Sequence, residues 1–217
     1  MRNFKKTLSF LLSTVIIVSS VVGVGTTVFA ATDEHTYKNF KYRILDDNTA
    51  EICGYTGKNA VVTVPDSIDS KPVTSIGRTA FYSGKIKEVT IPNTVRSIKW
   101  WAFYGCESLE KINLNFGLKT VGYGAFMNCK KLKSVSIPMS VTQICDDSFA
   151  VSCSTQKGVF DTYSKQTIST QQYSTDSSFT LEGYSGTVAE KYCNDNSLNF
   201  VSSGNVIYGD VDNNGTV

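Results

Sequence analysis

The last ten residues, Tyr208-Gly209-Asp210-Val211-Asp212-Asn213-Asn214-Gly215-Thr216-Val217, carry the sharpest chemical pattern in the chain. Asp210, Asp212 and Asn214 put oxygen-bearing side chains at the first, third and fifth positions of a calcium loop, Gly215 supplies the turn at the sixth, and Thr216 offers its carbonyl at the seventh. Calcium takes about six to eight oxygens, and side chains two apart wrap one side of the ion when glycine lets the chain turn. The chain stops at the eighth position, before the ninth ligand and the acidic twelfth. As given it is therefore expected to bind no calcium and to be a fragment of a longer product; the alternative is a polar tail with chance spacing.

Other chemistry is sparser. His35 is the single histidine among 217 residues, so two-histidine mechanisms and histidine-rich zinc sites are excluded. A Cys–His dyad would have to use His35, which falls in a stretch expected to be disordered. Cys53, Cys145 and Cys193 show no C-x-x-C spacing. Cys106 and Cys129 occupy the same position of successive repeats, with Cys153 near the equivalent place; they are expected as buried thiols packing like small hydrophobes, with a Cys106–Cys129 bridge left open. Asp146-Asp147 sits in a turn and reads as solvated. Trp100-Trp101, with Tyr82, Tyr104 and Tyr123 at related positions, suggests an exposed patch on which sugar rings stack, against the alternative that Tyr82 and Tyr104 pack between coils. No active site is expected.

An internal repeat must position these residues. Rows at one constant interval start at Val89, Ile112 and Val135, and an earlier, longer copy starts at Val62, its extra residues falling near Ser70 to Val73. Apolar residues recur at the first and third positions (Val89/Ile91, Ile112/Leu114, Val135/Ile137), the seventh (Val95, Leu118, Val141) and the tenth (Ile98, Val121, Ile144), followed by an Ala/Ser-Phe pair. Period two in Val-Thr-Val, Val-Thr-Ile, Ile-Asn-Leu and Val-Ser-Ile predicts short strands that pair coil upon coil into a parallel sheet. One coil cannot offset its own ordering entropy, so stacking is the stabilising event.

The flanks read as caps. Phe40, Tyr42 and Ile44 alternate, Asp46-Asp47-Asn48 breaks the run, and Ala50 and Ile52 resume it, which predicts a hairpin. Thr187-x-x-Glu190 predicts a capping box opening a short helix with Val188, Ala189, Tyr192 and Cys193 as its apolar residues. Between the repeats and this helix the pattern lapses: from Ser152 to Thr180 nearly half of the positions are Ser or Thr, and Gln supplies several more. That stretch reads as a polar loop or degenerate coil, or as a binding loop using Tyr163 and Tyr173.

At the amino terminus Arg2, Lys5 and Lys6 precede a chargeless run from Leu8 to Val28 that closes on Val28-Phe29-Ala30-Ala31, as a secretory signal does; an uncleaved anchor is the alternative. The whole chain has 21 basic and 19 acidic residues, and loss of residues 1–30 removes three of the basic ones, leaving 18 against 19 and a net charge of −1. Neither value gives the electrostatic footprint of a nucleic-acid binder.

The pattern I-P-x-x-V-x-x-I-x-x-x-A-F-x-x-C-x-x-L resembles the BspA-like leucine-rich repeats of bacterial surface and secreted proteins over residues 62 to about 154, and YRILDDNTAEICGYTGKNAVVTVP and LEGYSGTVAEKYCNDNSLNFV resemble that family's entry hairpin and closing module. The resemblance implies an α/β solenoid with short parallel strands: an N-terminal hairpin cap at 37–60, four copies at 62–88, 89–111, 112–134 and 135–154, the Ser/Thr-rich loop or degenerate repeat at 155–180, and a helix-containing cap at 181–203. Gly209-Asp210-Val211-Asp212-x-Asn214-Gly215 at 208–217 resembles the start of a type I dockerin. That likeness implies attachment through a cohesin of a scaffoldin to a cellulosome, with calcium held only by the complete dockerin.

Together these readings predict a secreted, extracellular, non-catalytic protein-interaction module, associated with a cellulosome or cell surface. A protein partner is expected on a concave strand face, at the outward residues Thr63, Thr90, Asn113 and Ser136 with Glu88 and Lys111 beside them. The alternative is carbohydrate binding or adhesion through Trp100 and Trp101, with plant cell-wall polysaccharide as partner.

Overall fold

Inward-facing apolar side chains at a constant repeat spacing wind the chain into stacked coils. A computed structural model describes residues 34–149, 152–161, 166–174, 176 and 178–205, with the backbone alone described in 152–161, 166–174 and 205. The first element is a three-stranded antiparallel meander, β1 (His35–Tyr37), β2 (Phe40–Ile44) and β3 (Ala50–Tyr55). His35 therefore does not lie in a disordered start: β1 pairs with β2, and the His35 ring sits 5.4 Å from the ring of Tyr42. Asn48, at φ 64°, makes the turn between β2 and β3 in the left-handed region that asparagine tolerates.

The coils follow. β4 (Val61–Thr63) begins the first; β5 (Ser67–Ile68) and β6 (Lys71–Ile76) form a tight antiparallel corner from the extra residues of this copy. Asp69 and Ser70 both take positive φ (49° and 62°), as a type I′ turn requires. The next coils contribute β7 (Glu88–Thr90) and β8 (Ser97–Ile98), β9 (Lys111–Asn113) and β10 (Thr120–Val121), then β11 (Ser134–Ser136) and β12 (Gln143–Ile144). Two parallel ladders result. One is β4-β7-β9; the other continues the opening meander as β1-β2-β3-β6-β8-β10-β12. The apolar tenth position (Ile98, Val121, Ile144) thus belongs to a second sheet, a ladder of two-residue strands too short to show a period in sequence, while the seventh (Val95, Leu118, Val141) lies on the connection leading into it.

The predicted triplets have the right inward residues but lie one residue late: the strands begin at Glu88, Lys111 and Ser134. Val62, Val89, Ile112 and Val135 are buried, as are Val64, Ile91 and Ile137, while Leu114 is only partly so. A third side is closed by backbone hydrogen bonds from Phe81, Phe103 and Phe126 to the carbonyls of Ala102, Ala125 and Ser148 in the following coil (2.8, 2.8 and 2.7 Å). Small side chains at those positions let the coils approach; the phenylalanines fill the centre.

Those rings form a spine. Phe40–Tyr55, Tyr55–Phe81, Phe81–Phe103, Phe103–Phe126, Phe126–Phe149 and Phe149–Phe179 follow one another with centroids 4.8 to 5.6 Å apart. The three central repeat-to-repeat contacts are stacked within 9° of parallel. Phe149 also meets Tyr192 edge-on at 5.9 Å, tying the spine to the closing module.

The stretch read as a loop or degenerate coil is instead a hairpin, β13 (Ser152–Asp161) and β14 (Gln166–Ser174), paired antiparallel with a bulge between Gln156 and Val159. Polar strands lack the alternating apolar residues that a sequence reading detects, whereas the backbone pairs without them. Beyond this hairpin the coil resumes: β15 (Thr180–Ser185) pairs parallel with β11 through Val135↔Leu181, and after α1 (Val188–Asn196) comes β16 (Asn199–Asn205), parallel to β15. The repeat run therefore extends past 154 into the region read as a cap. Ala189, Tyr192 and Cys193 are the buried side chains of α1. Its predicted capping box does not form: the Thr187 hydroxyl donates to the Tyr184 carbonyl (2.6 Å), and the Glu190 carboxylate accepts from the Gly186 N–H (2.8 Å), one residue before the box position.

Candidate functional site

The residues picked out for a partner surface lie on short strands whose alternation turns them away from the core. In the β4-β7-β9 register, Val61, Glu88 and Lys111 form one row and Thr63, Thr90 and Asn113 another, the buried row Val62, Val89 and Ile112 lying between them. Thr63 and Lys111 are exposed; Glu88, Thr90 and Asn113 are half-buried. The rows are joined. Lys111 Nζ lies 3.2 Å from the Glu88 carboxylate, and Asn113 Nδ2 donates to Glu88 Oε1 (2.9 Å) and Thr90 Oγ1 (3.2 Å). The Asn113 amide and the Lys111 ammonium hold the Glu88 carboxyl below its usual range. Ser136 is exposed too, but it belongs to the other strand set, β11-β15-β16, where its hydroxyl donates to Glu182 (3.2 Å). The first set ends at the coil of β9, where Asn115 takes the position held by Pro65, Pro92 and Pro138 in neighbouring coils, and its amide donates to the Ile91 carbonyl.

The two tryptophans separate. Trp100 is 58% exposed at a coil corner. Trp101 is half-buried and held on several sides: the Arg78 guanidinium lies 4.7 Å over its ring, Tyr123 meets it edge-on at 6.2 Å, and its indole covers Gly124 so closely that a Cβ there would stand 2.6 Å from Cδ1. Trp101 also carries φ 57°, at the repeat position where Thr79, Gly124 and Asp147 are left-handed as well. Of the pair, Trp100 is the ring free to take a ligand. Tyr82 and Tyr104 pack between coils, stacking at 5.5 Å and 6°, while Tyr82 stays 58% exposed.

Cys106 and Cys129 are buried free thiols, each donating to a carbonyl of the preceding coil, Phe81 (2.9 Å) and Phe103 (3.3 Å). Burial pushes the Cys106 thiol up to about 11 and Cys129 well above the ordinary thiol value, which removes nucleophilic character. Asp146 is exposed and Asp147 half-buried; burial raises the Asp147 carboxyl, with a Tyr123 hydrogen bond opposing. Among the described residues no three His, Cys, Asp or Glu side chains gather as metal ligands. Asp210, Asp212, Asn214 and Thr216, like Tyr163 and residues 1–30, lie outside the described residues.

One charged site escapes the sequence reading. Glu51 on β3 is 1% exposed and is surrounded by Arg43 Nη2 (2.5 Å), Lys99 Nζ and the Ser75 hydroxyl (2.9 Å), with Ser97 donating on to Ser75 (3.1 Å). The register Glu51↔Ser75↔Ser97 brings together residues from the meander and two coils. Burial alone would raise the Glu51 pKa, but Lys99, Ser75 and Arg43 outweigh it and hold the carboxyl below its usual range. No local signal could have found it, because Arg43, Ser75 and Lys99 come from an earlier strand and from two later coils. This cluster fastens the meander to the coils.

Comparison with known proteins gives a consistent picture. The BspA type leucine rich repeat region matches residues 63–181 in six copies. Among solved structures, a leucine-rich repeat protein from Bacteroides capillosus is 31% identical over 52% of this chain and 88% of its own, with a TM-score of 0.50. A leucine rich cell surface protein from Faecalibacterium prausnitzii is 34% identical over 54% of this chain, with a TM-score of 0.51; the match spans 34% of that protein. No curated protein matches. Among the described residues no helix is long and apolar enough to cross a membrane.

Proposed function

Since the chain belongs to the BspA-type leucine-rich repeat family, we propose that it is a secreted, non-catalytic interaction protein whose β4-β7-β9 face holds a protein partner. The observation that supports this most is the joined rows Glu88–Lys111 and Thr90–Asn113. They are polar side chains fixed in place by strand register and by one another, so they lose little freedom on binding. The likeness to a cell surface protein agrees with an extracellular setting. Thr63, Glu88, Thr90, Lys111 and Asn113 are the contact set on this face, with Ser136 added from the following strand set, β11-β15-β16. Binding of candidate extracellular proteins to the wild type and to Lys111→Glu and Thr63→Arg, with equal thermal stability, tests it. A partner whose binding drops at least tenfold with either variant supports the reading, and one held equally by all three refutes it.

Attachment is the second component. The reading that Asp210, Asp212, Asn214 and Thr216 open a dockerin calcium loop rests on their spacing and on the placement just after a repeat domain. A dockerin completed beyond such a loop would bind calcium, and through it a scaffoldin cohesin. A second Asp-x-Asp-x-Asn-Gly loop within about 60 further codons supports it, and its absence removes the cellulosome while leaving the solenoid. An adhesion reading, in which Trp100 stacks on cell-wall polysaccharide, is favoured by that ring's 58% exposure beside the Arg78–Trp101–Tyr123 support. Retention on plant polysaccharides that is lost in Trp100→Ala is its test.

A further inference from the structure

Two clefts lie side by side, one where the opening meander meets the first coil and the other along the coils that follow. The first, about 340 Å³, has a floor of Tyr55, Phe81 and Ile86 and carries Lys58, Tyr82 and Lys85 at its edge. The second, about 540 Å³, is bounded by Tyr104, Ser108 and Asn128 and shares Gly84 and Lys85 with the first. Both volumes are in the range of ligand sites. Tyr82 lines one cleft and Tyr104 the other, so their stacked rings form the partition between them.

The charges are unbalanced. Glu34 in the first cleft faces Lys41 (3.9 Å), and Glu107 in the second is bridged to Lys130 (2.6 Å). Lys58 and Lys85 are exposed and have no carboxylate partner among the described residues, whereas seven other lysines do. Lys58 is placed at the rim because the backbone at Gly57 lies against the Tyr55 ring, where a Cβ would come within 2.3 Å of the hydroxyl.

We propose that this groove binds an acidic polysaccharide. The apolar face of one sugar ring lies on Tyr82, and ring carboxylates pair with Lys58 and Lys85 on either side. Two adjoining clefts that share Lys85, with stacked aromatic rings between them, suit a polymer of rigid rings carrying a carboxylate on each. An extended acidic peptide fits less well, since strand addition needs open ladder groups and the nearby Phe81 and Ser83 N–H groups already donate to Ala102 and Tyr104. This site is distinct from the strand face and from Trp100, and its failure leaves both of those readings standing.

The test is affinity electrophoresis of the full chain in gels containing de-esterified polygalacturonate, the same polymer fully methyl-esterified, or poly-L-glutamate. Retardation by de-esterified polygalacturonate, at least tenfold weaker with the other two, is expected. Lys85→Gln and Lys58→Gln each weaken it about fivefold, the worth of one exposed ion pair. Tyr82→Ala also weakens it, with the folded circular dichroism spectrum retained and at most a few degrees lost in melting temperature from the Tyr104 stack, and Trp100→Ala has no effect. No retardation, equal retardation by polyglutamate, or full binding by Tyr82→Ala overturns the proposal.

Discussion

Replacing Glu51 by Gln tests whether one buried carboxylate fastens the opening meander to the coils. The substitution keeps volume and leaves an acceptor for Ser75, so it opens no cavity; what it removes is charge. Hydrogen bonds to charged groups contribute ~1.5–3 kcal/mol each, and of the three that Glu51 accepts, those from Arg43 and Lys99 lose their charged acceptor while that from Ser75 is kept. Breaking a fully buried pair costs ~3–5 kcal/mol, but the Arg43 and Lys99 side chains are 38% and 41% exposed and regain water when the carboxylate is neutralised. The expected loss is therefore ~2–3 kcal/mol, or ~5–10 °C in melting temperature for a chain of this size. The pH dependence follows from the depressed pKa. The unfolded chain binds a proton at Glu51 more readily than the folded one, so the stabilisation is complete above the unfolded value of about 4.3 and is lost as pH falls through the folded value. Thermal melts followed by circular dichroism from pH 7 downward should show wild type and Glu51→Gln well apart at neutrality and converging in acid. The control is Glu110→Gln, chemically identical but in a 3.7 Å bridge with both side chains more than half exposed, where the cost is below ~0.5 kcal/mol. Equal losses at Glu51 and Glu110, or a gap that persists at low pH, refute the reasoning.

Three further outcomes are expected. Phe103→Ala, which removes a fully buried ring stacked on both sides, costs ~3–5 kcal/mol, and denaturant melts with a loss under half of that would show that the spine is not a main source of stability. Iodoacetamide at pH 8 should leave Cys106 and Cys129 unmodified in the folded protein and label them fully in guanidinium, since burial holds both thiols protonated; labelling in the folded state at the unfolded rate contradicts the packing described. Thr79→Asn should raise stability by ~0.5–1 kcal/mol, because an exposed β-branched residue at φ 57° is replaced by one that tolerates this region, and a lower melting temperature would show that the Thr79 hydroxyl's bond to the Arg78 carbonyl (2.7 Å) outweighs the strain.

Legibility followed the range of the interactions. The coils were readable because each repeats the same demand on the same positions: Val89, Ile112 and Val135 must face inward, and the spacing of such residues is itself the signal. The meander was readable from alternation around Asp46-Asp47-Asn48. His35, by contrast, has too little apolar context to predict β1, and it is pairing with Tyr42 that orders it. The β13–β14 hairpin was hidden because strands made of Ser, Thr and Gln pair through the backbone without an apolar period. Its insertion also concealed that Leu181 continues the ladder of Val135.

The same distinction divides the candidate sites. The amino-acid order determined the solenoid, its inward residues, the outward strand rows and the calcium-loop spacing, because all of these are set by neighbours within one repeat or one loop. Tertiary structure alone decided that Trp101 is packed between Arg78 and Tyr123 while Trp100 is free, that Glu51 is buried among Arg43, Ser75 and Lys99, and that Lys58, Tyr82 and Lys85 edge one cleft. Those arrangements join side chains from different coils, and the register that brings them together is fixed only when the coils stack.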